Sequence, residues 1–142
     1  MLKKTGTTFL IVSIILTFVP LVYLPQSIFS FILFSFLILI IFGLGVAMLY
    51  APRPFKNSLL PIILFNLIFT VINSIIGLLT QEKVNQLAKK AVNSNFQFTE
   101  QASNSFTPFL NLFFSFIWAL AISLILLLVV KQIRKLKDRR LD

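Results

Sequence analysis

Three long stretches of this chain carry no charged residue. Asp, Glu, Lys, Arg and His are all absent from Thr5 to Pro52, from Asn57 to Gln81 and from Gln101 to Val130. Each stretch is longer than the about 20 apolar residues that cross the hydrocarbon core of a bilayer. The first is more than twice that length, so it holds two crossings. The pattern predicts an all-α integral membrane protein with four transmembrane helices.

Composition agrees. Hydrophobic residues make up 58% of the 142 positions, which suits one membrane domain over 1–142 and leaves no separate soluble domain. Span 1 is expected at about 7–24. Its apolar run follows Lys3 and Lys4 as in a signal peptide, but it is long and lacks a small-residue cleavage pair, so an uncleaved first helix is expected. Pro20 and Pro25 are expected to end it, because proline cannot donate to the helical ladder. Span 2 is expected at 27–50 with Ser27 as N-cap. The Pro52-Arg53-Pro54 loop then separates it from span 3, at 58–80, with Pro61 in the first turn. Span 4 is expected at 106–130, with Thr107 and Pro108 opening the helix.

The net charge of +9 suggests nucleic acid only until the charges are placed. Every basic residue flanks a span or sits in a connection, so no nucleic-acid partner is expected. The N-terminus, the loop after span 2 and the tail at 131–142 hold ten Lys and Arg, against three in the other two connections. An excess of basic residues marks the cytoplasmic side. Both termini are therefore expected in the cytoplasm, with the loop at 81–105 outside. A bacterial plasma (inner) membrane is the default location and an organelle membrane the alternative.

The chemistry of the chain is defined by what it lacks. It has no Cys and no His, so thiolate nucleophiles, disulfides, imidazole bases and the common soft-metal ligands are absent. The four carboxylates, Glu82, Glu100, Asp138 and Asp142, are scattered outside the spans. Catalysis within the membrane needs a nucleophile with a base, or metal ligands with an acid. No enzyme activity, cofactor or metal is expected. Ion-coupled transport is disfavoured too, since it generally needs an ionisable residue within a span.

Polar residues do occur within the spans. Asn66, Thr70, Asn73, Ser74 and Gly77 fall within an arc of about 100° on span 3, at about 100° per residue. Span 4 offers Asn111, Ser115, Ala119 and Ser123 at steps of four, and span 1 offers Ser13, Thr17 and Pro20. Gly43 and Ala47 form a small-xxx-small line on span 2 that Gly45 does not share. One reading is helix packing, with Asn as interhelical glue; the other is a polar pathway lined by spans 3 and 4.

Outside the spans, Val84, Leu87, Ala88 and Ala91 form a weakly apolar helical face, expected as a short surface helix. Phe96 and Phe98 are candidate docking residues for an external partner. Lys131, Arg134, Lys135, Lys137, Arg139 and Arg140 follow span 4 directly and suit anionic lipid headgroups or a partner, besides fixing orientation.

The expected function is a non-catalytic multi-pass membrane protein, an assembly, stabilising or regulatory subunit of a larger membrane complex. Its partners would be the lipid bilayer and other membrane subunits or itself. The alternative is an oligomeric passive channel, or a small-solute or lipid-handling transporter.

Overall fold

The computed structural model describes residues 2–23, 27–91 and 107–138; for residues 28, 85, 87–91, 107–111, 137 and 138 it describes the backbone alone. The described residues form four α-helices: α1 (Leu2–Val22), α2 (Ile28–Tyr50), α3 (Phe55–Ala91) and α4 (Thr107–Asp138). All four are long and apolar enough to cross a membrane.

Several boundaries differ from the sequence expectation, each for a local reason. α1 starts at Leu2, not at about Thr7, because nothing in Lys3-Lys4-Thr5 breaks a helix. Thr7 and Thr8 turn their hydroxyls back to the carbonyls of Lys3 and Lys4, both at 3.0 Å. Pro20 lies inside α1 rather than ending it, and the helix continues two residues to Val22. Ser27 caps α2 as expected: its backbone is extended and its side chain accepts from the Ser30 N–H at 3.1 Å.

The largest difference is in α3. It begins at Phe55, so Pro61 falls in the second turn, and it runs on to Ala91 without a break. Residues 81–91 contain no Gly or Pro and several strong helix formers, so the expected surface helix is a direct extension of the span. At 1.5 Å per residue its 37 residues reach about 55 Å, against about 30 Å for a hydrocarbon core. α4 likewise carries its helix through the basic tail to Asp138.

Helix α2 is the hub. It packs most extensively on α1 and then on α4, while α3 packs chiefly on α4 and less on α1 and α2. The core sits towards the end of the bundle that holds the chain termini. It contains Leu10 of α1, Ile38, Phe42, Val46, Ala47 and Tyr50 of α2, Ile62 and Phe69 of α3, and Leu127 and Val130 of α4. Phe42 and Phe69 stack face to face with ring centroids 3.9 Å apart, and Tyr50 meets Phe65 edge-on. Towards the loop end the bundle is open. Among the described residues, none is buried between Phe29 and Leu37 of α2 or between Leu112 and Trp118 of α4. Phe29 and Phe36 are exposed there, while the stacked pair Phe42 and Phe69 lies in the core.

Two glycines set the closest helix contact. A Cβ added to Gly45 would stand 2.9 Å from the Leu10 nitrogen and 3.0 Å from the Gly6 oxygen; one added to Gly6 would stand 2.9 Å from the Gly45 oxygen. The backbones of α1 and α2 meet here as only glycine permits. Gly43, about 200° around α2 from Gly45, faces α4, where an added Cβ would meet Leu126, Ile122 and Ser123. One helix thus presents two small-residue lines to two neighbours.

Candidate functional site

The polar residues within the helices divide into a closed set and an open set. In the closed set, Ser13 and Thr17 of α1 are buried, and each donates to a carbonyl of its own helix: Ser13 to Leu10 at 2.8 Å and Thr17 to Ser13 at 2.7 Å. Their hydroxyls are satisfied locally, which leaves the small side chains free to pack. With Gly6, Leu10 and Pro20 they make one stripe that faces the bundle.

Asn66 is the centre of the closed set. Its carboxamide is fully buried, its Nδ2 donates to the Ile62 carbonyl at 2.8 Å, and its Oδ1 accepts from Ser123 Oγ at 3.0 Å. This bond ties α3 to α4 across 57 positions of sequence. At the bundle end, Ser58 Oγ donates to the carbonyls of Pro54 and Tyr50, fastening the start of α3 to the end of α2. Lys131 Nζ donates to the Arg53 carbonyl at 2.9 Å and lies 5.5 Å from the centre of the Phe55 ring, while the Arg53 guanidinium lies over Tyr50. Lys131, read from sequence as a lipid or partner contact, therefore also closes the loop between α2 and α3 onto α4.

The Asn66–Ser123 and Lys131–Arg53 contacts together make α3 and α4 antiparallel. Four-residue steps then match Thr70 to the level of Ala119, and Ser74 to that of Ser115. The seam is closed at Asn66–Ser123 and changes one turn further on. Thr70 is buried, and its Oγ1 meets no hydrogen-bond partner among the described residues. Ala119, at its level, is buried and offers no side-chain acceptor. Beyond this lies the open set. Asn73 and Ser74 are half-buried, Gly77 is exposed with nothing among the described residues within 4 Å of an added Cβ, and Ser115 is exposed. The span 3 stripe thus divides between two environments, buried at Asn66 and Thr70 and more open from Asn73 to Gly77.

The remaining expected residues are placed as follows. Arg134 and Lys135 project from the exposed end of α4, and Asn111 and Lys137 belong to α4, where only the backbone is described. Phe96, Phe98, Arg139 and Arg140 lie outside the described residues. Among the described residues, no group of His, Cys, Asp or Glu is placed to hold a metal ion.

Sequence reading missed the Gly6–Gly45 contact. A signal was present: Gly6 sits in line with Leu10, Ser13 and Thr17 at helical spacing, the same stripe that packs. Comparison with protein-family models, with curated proteins and with solved structures finds no match to this chain.

Proposed function

We propose that this chain is a non-catalytic membrane subunit that assembles, stabilises or regulates a larger membrane complex. The supporting observation is the fate of one asparagine within its helices. Asn66 is fully buried and committed to Ser123 and to its own helix. Residues that hydrogen-bond inside a packed seam are glue between helices. The described helices otherwise offer narrow polar lines and large apolar faces. In this reading the termini face the cytoplasm, as the basic excess implies, and the membrane is a bacterial plasma membrane. Arg134, Lys135, Lys137, Arg139 and Arg140 would meet anionic headgroups or a partner, and Phe96 and Phe98 an external partner.

The second reading, a passive oligomeric channel, is favoured by one observation: Gly77 and Ser115 are exposed on the single chain, and Asn73 and Ser74 are half-buried beside them. A lumen lined by these residues would need several copies.

Native mass measurement of the gently extracted chain separates the two. A complex of fixed stoichiometry with a different membrane protein is expected. A chain that never associates with another protein, in extracts or in native membranes, overturns the subunit reading. Conductance of the pure chain in planar bilayers would carry the channel reading.

A further inference from the structure

One charge-free run ends at Pro52, the next begins at Asn57 and the last ends at Val130. Arg53, Lys56 and Lys131 are the first charged residues outside these three limits. In a bilayer they stand where hydrocarbon gives way to headgroups. Orientation accounts for basic residues at that level, but not for where they lie relative to one another. The fold supplies that. Lys131 is 78 positions from Arg53 in sequence, yet its Nζ donates to the Arg53 carbonyl at 2.9 Å. The same ammonium lies 5.5 Å from the centre of the Phe55 ring, and the Arg53 guanidinium 5.2 Å from that of Tyr50. Two cations are thus held in defined places around one tight loop. Lys56 follows Phe55 in the first turn of α3.

The hydrogen-bonding capacity of this cluster is mostly unspent. An ammonium has three donors, and the Arg53 carbonyl takes one of those of Lys131. A guanidinium has five, and among the described residues none of those of Arg53 meets an acceptor. Lys56 is exposed and has no partner among them either. No carboxylate among the described side chains pairs with any of the three. Cations fixed in place by rings and a carbonyl, with no anion between them, are pre-organised to receive one.

We propose that Arg53, Lys56 and Lys131 bind the phosphate of an anionic phospholipid in the leaflet at this end of the bundle. Depth selects the source. A phospholipid phosphate is confined to the level at which these residues leave the hydrocarbon, whereas a soluble anion is not. Charge selects the class. A headgroup with its own ammonium offsets its phosphate, while phosphatidylglycerol leaves a net negative charge for the three cations. The guanidinium fork matches two phosphate oxygens, and each lysine adds a point charge. The bound lipid joins the loop between α2 and α3 to α4, beside the link that Lys131 already makes. This inference rests on the reading of the helices as membrane spans. It adds a site on the loop to the headgroup contacts of the tail, and it needs no protein partner.

Native mass spectrometry of the full chain in dodecylmaltoside, titrated with phosphatidylglycerol or phosphatidylcholine, reads the bound lipid directly. One phosphatidylglycerol per chain is expected to bind roughly tenfold or more tightly than phosphatidylcholine. Arg53→Gln combined with Lys56→Gln is expected to weaken it roughly thirtyfold, at about fivefold per basic residue near a membrane surface. Lys3→Gln combined with Lys4→Gln removes the same charge from the same end of the bundle, where Gly6 meets Gly45 and Leu49, and should cost far less. Equal losses from the two pairs would mean diffuse attraction and overturn the site, as would equal retention of the two lipids. Arg53→Lys combined with Lys56→Arg keeps both charges and should bind within about fivefold of the parent. A loss as large as that of the glutamine pair would overturn the charge argument. Displacement of the lipid by an equal concentration of inorganic phosphate would name a soluble anion as the ligand and overturn the lipid. A chain that retains neither lipid, yet is extracted with a different membrane protein, would lose this site and keep the subunit reading.

Discussion

Replacing Gly45 with Ala adds one methyl group where α1 and α2 touch. The new Cβ would stand 2.9 Å from both the nitrogen and the Cγ of Leu10 and 3.0 Å from the Gly6 oxygen. Two of these three neighbours are backbone atoms of a helix and cannot rotate away. Optimal carbon contacts lie at about 3.5–4.0 Å, so the helices must part by roughly 0.5–1 Å, which forfeits about a quarter to a half of each affected contact. Overpacking of this kind costs about 1–3 kcal/mol, and rigid neighbours put the change in the upper half of that range. Ala returns up to about 1 kcal/mol as the better helix former. The expected net effect is a destabilisation of about 1–2 kcal/mol. Gly77→Ala is the matched control: with nothing within 4 Å of the new Cβ, only the propensity gain applies. The two variants should straddle the parent and differ by about 2–3 kcal/mol. Unfolding in mixed micelles of dodecylmaltoside and rising SDS, followed by circular dichroism at a dilution that keeps the chain monomeric, measures both. A Gly45→Ala chain as stable as the parent, or both variants shifting the same way, would refute the close approach of α1 and α2.

Three further outcomes follow from the same contacts. A double-mutant cycle with Asn66→Leu and Ser123→Ala, read by the same unfolding assay, should return a coupling of about 0.6 kcal/mol and no more than about 1.7 kcal/mol; zero coupling would mean the Asn66–Ser123 bond does not form. Thr70→Val keeps the shape and removes an unpaired buried hydroxyl, so the monomer should gain up to about 1 kcal/mol, and a loss would mean that hydroxyl has a partner. Lys131→Met removes the donor to the Arg53 carbonyl; amide exchange from Arg53 to Asn57 should quicken, with about 1 kcal/mol or less lost in stability, and unchanged exchange would show the lysine to be a surface charge only.

The helices were legible because a membrane crossing depends on one local quantity, a long run without charge. Ser27 was legible for a similar reason, since a cap is made by residues three apart. The division of the α3 stripe was not legible. Asn66 and Asn73 share a face by periodicity, yet one is sealed against Ser123 and the other is half open. What separates them is how far α4 stays close to α3, which the two helices decide jointly and neither sequence window contains. From sequence, Gly45 falls off the Gly43–Ala47 line and gains no packing role. That reading assumed a single packing face on α2, whereas α2 sits between α1 and α4 and uses two. The change of composition at Gln81 separates residues 81–91 from span 3 in the sequence pattern. Helical hydrogen bonding ignores that change, and the helix continues to Ala91.

The order in which these contacts become available is fixed by the chain. The tightest one, Gly6 against Gly45, joins the first two helices and can close before α3 is made. The Asn66–Ser123 bond is different, since its acceptor precedes its donor by 57 residues. At a synthesis rate of about 5–20 residues per second, Asn66 spends roughly 3–11 s without its Ser123 partner. During that interval α3 carries a carboxamide with an unclaimed oxygen beside a finished α1–α2 hairpin. The arrival of α4 is thus the step that completes the bundle, and truncation before Thr107 should leave three helices with the Asn66 oxygen unclaimed.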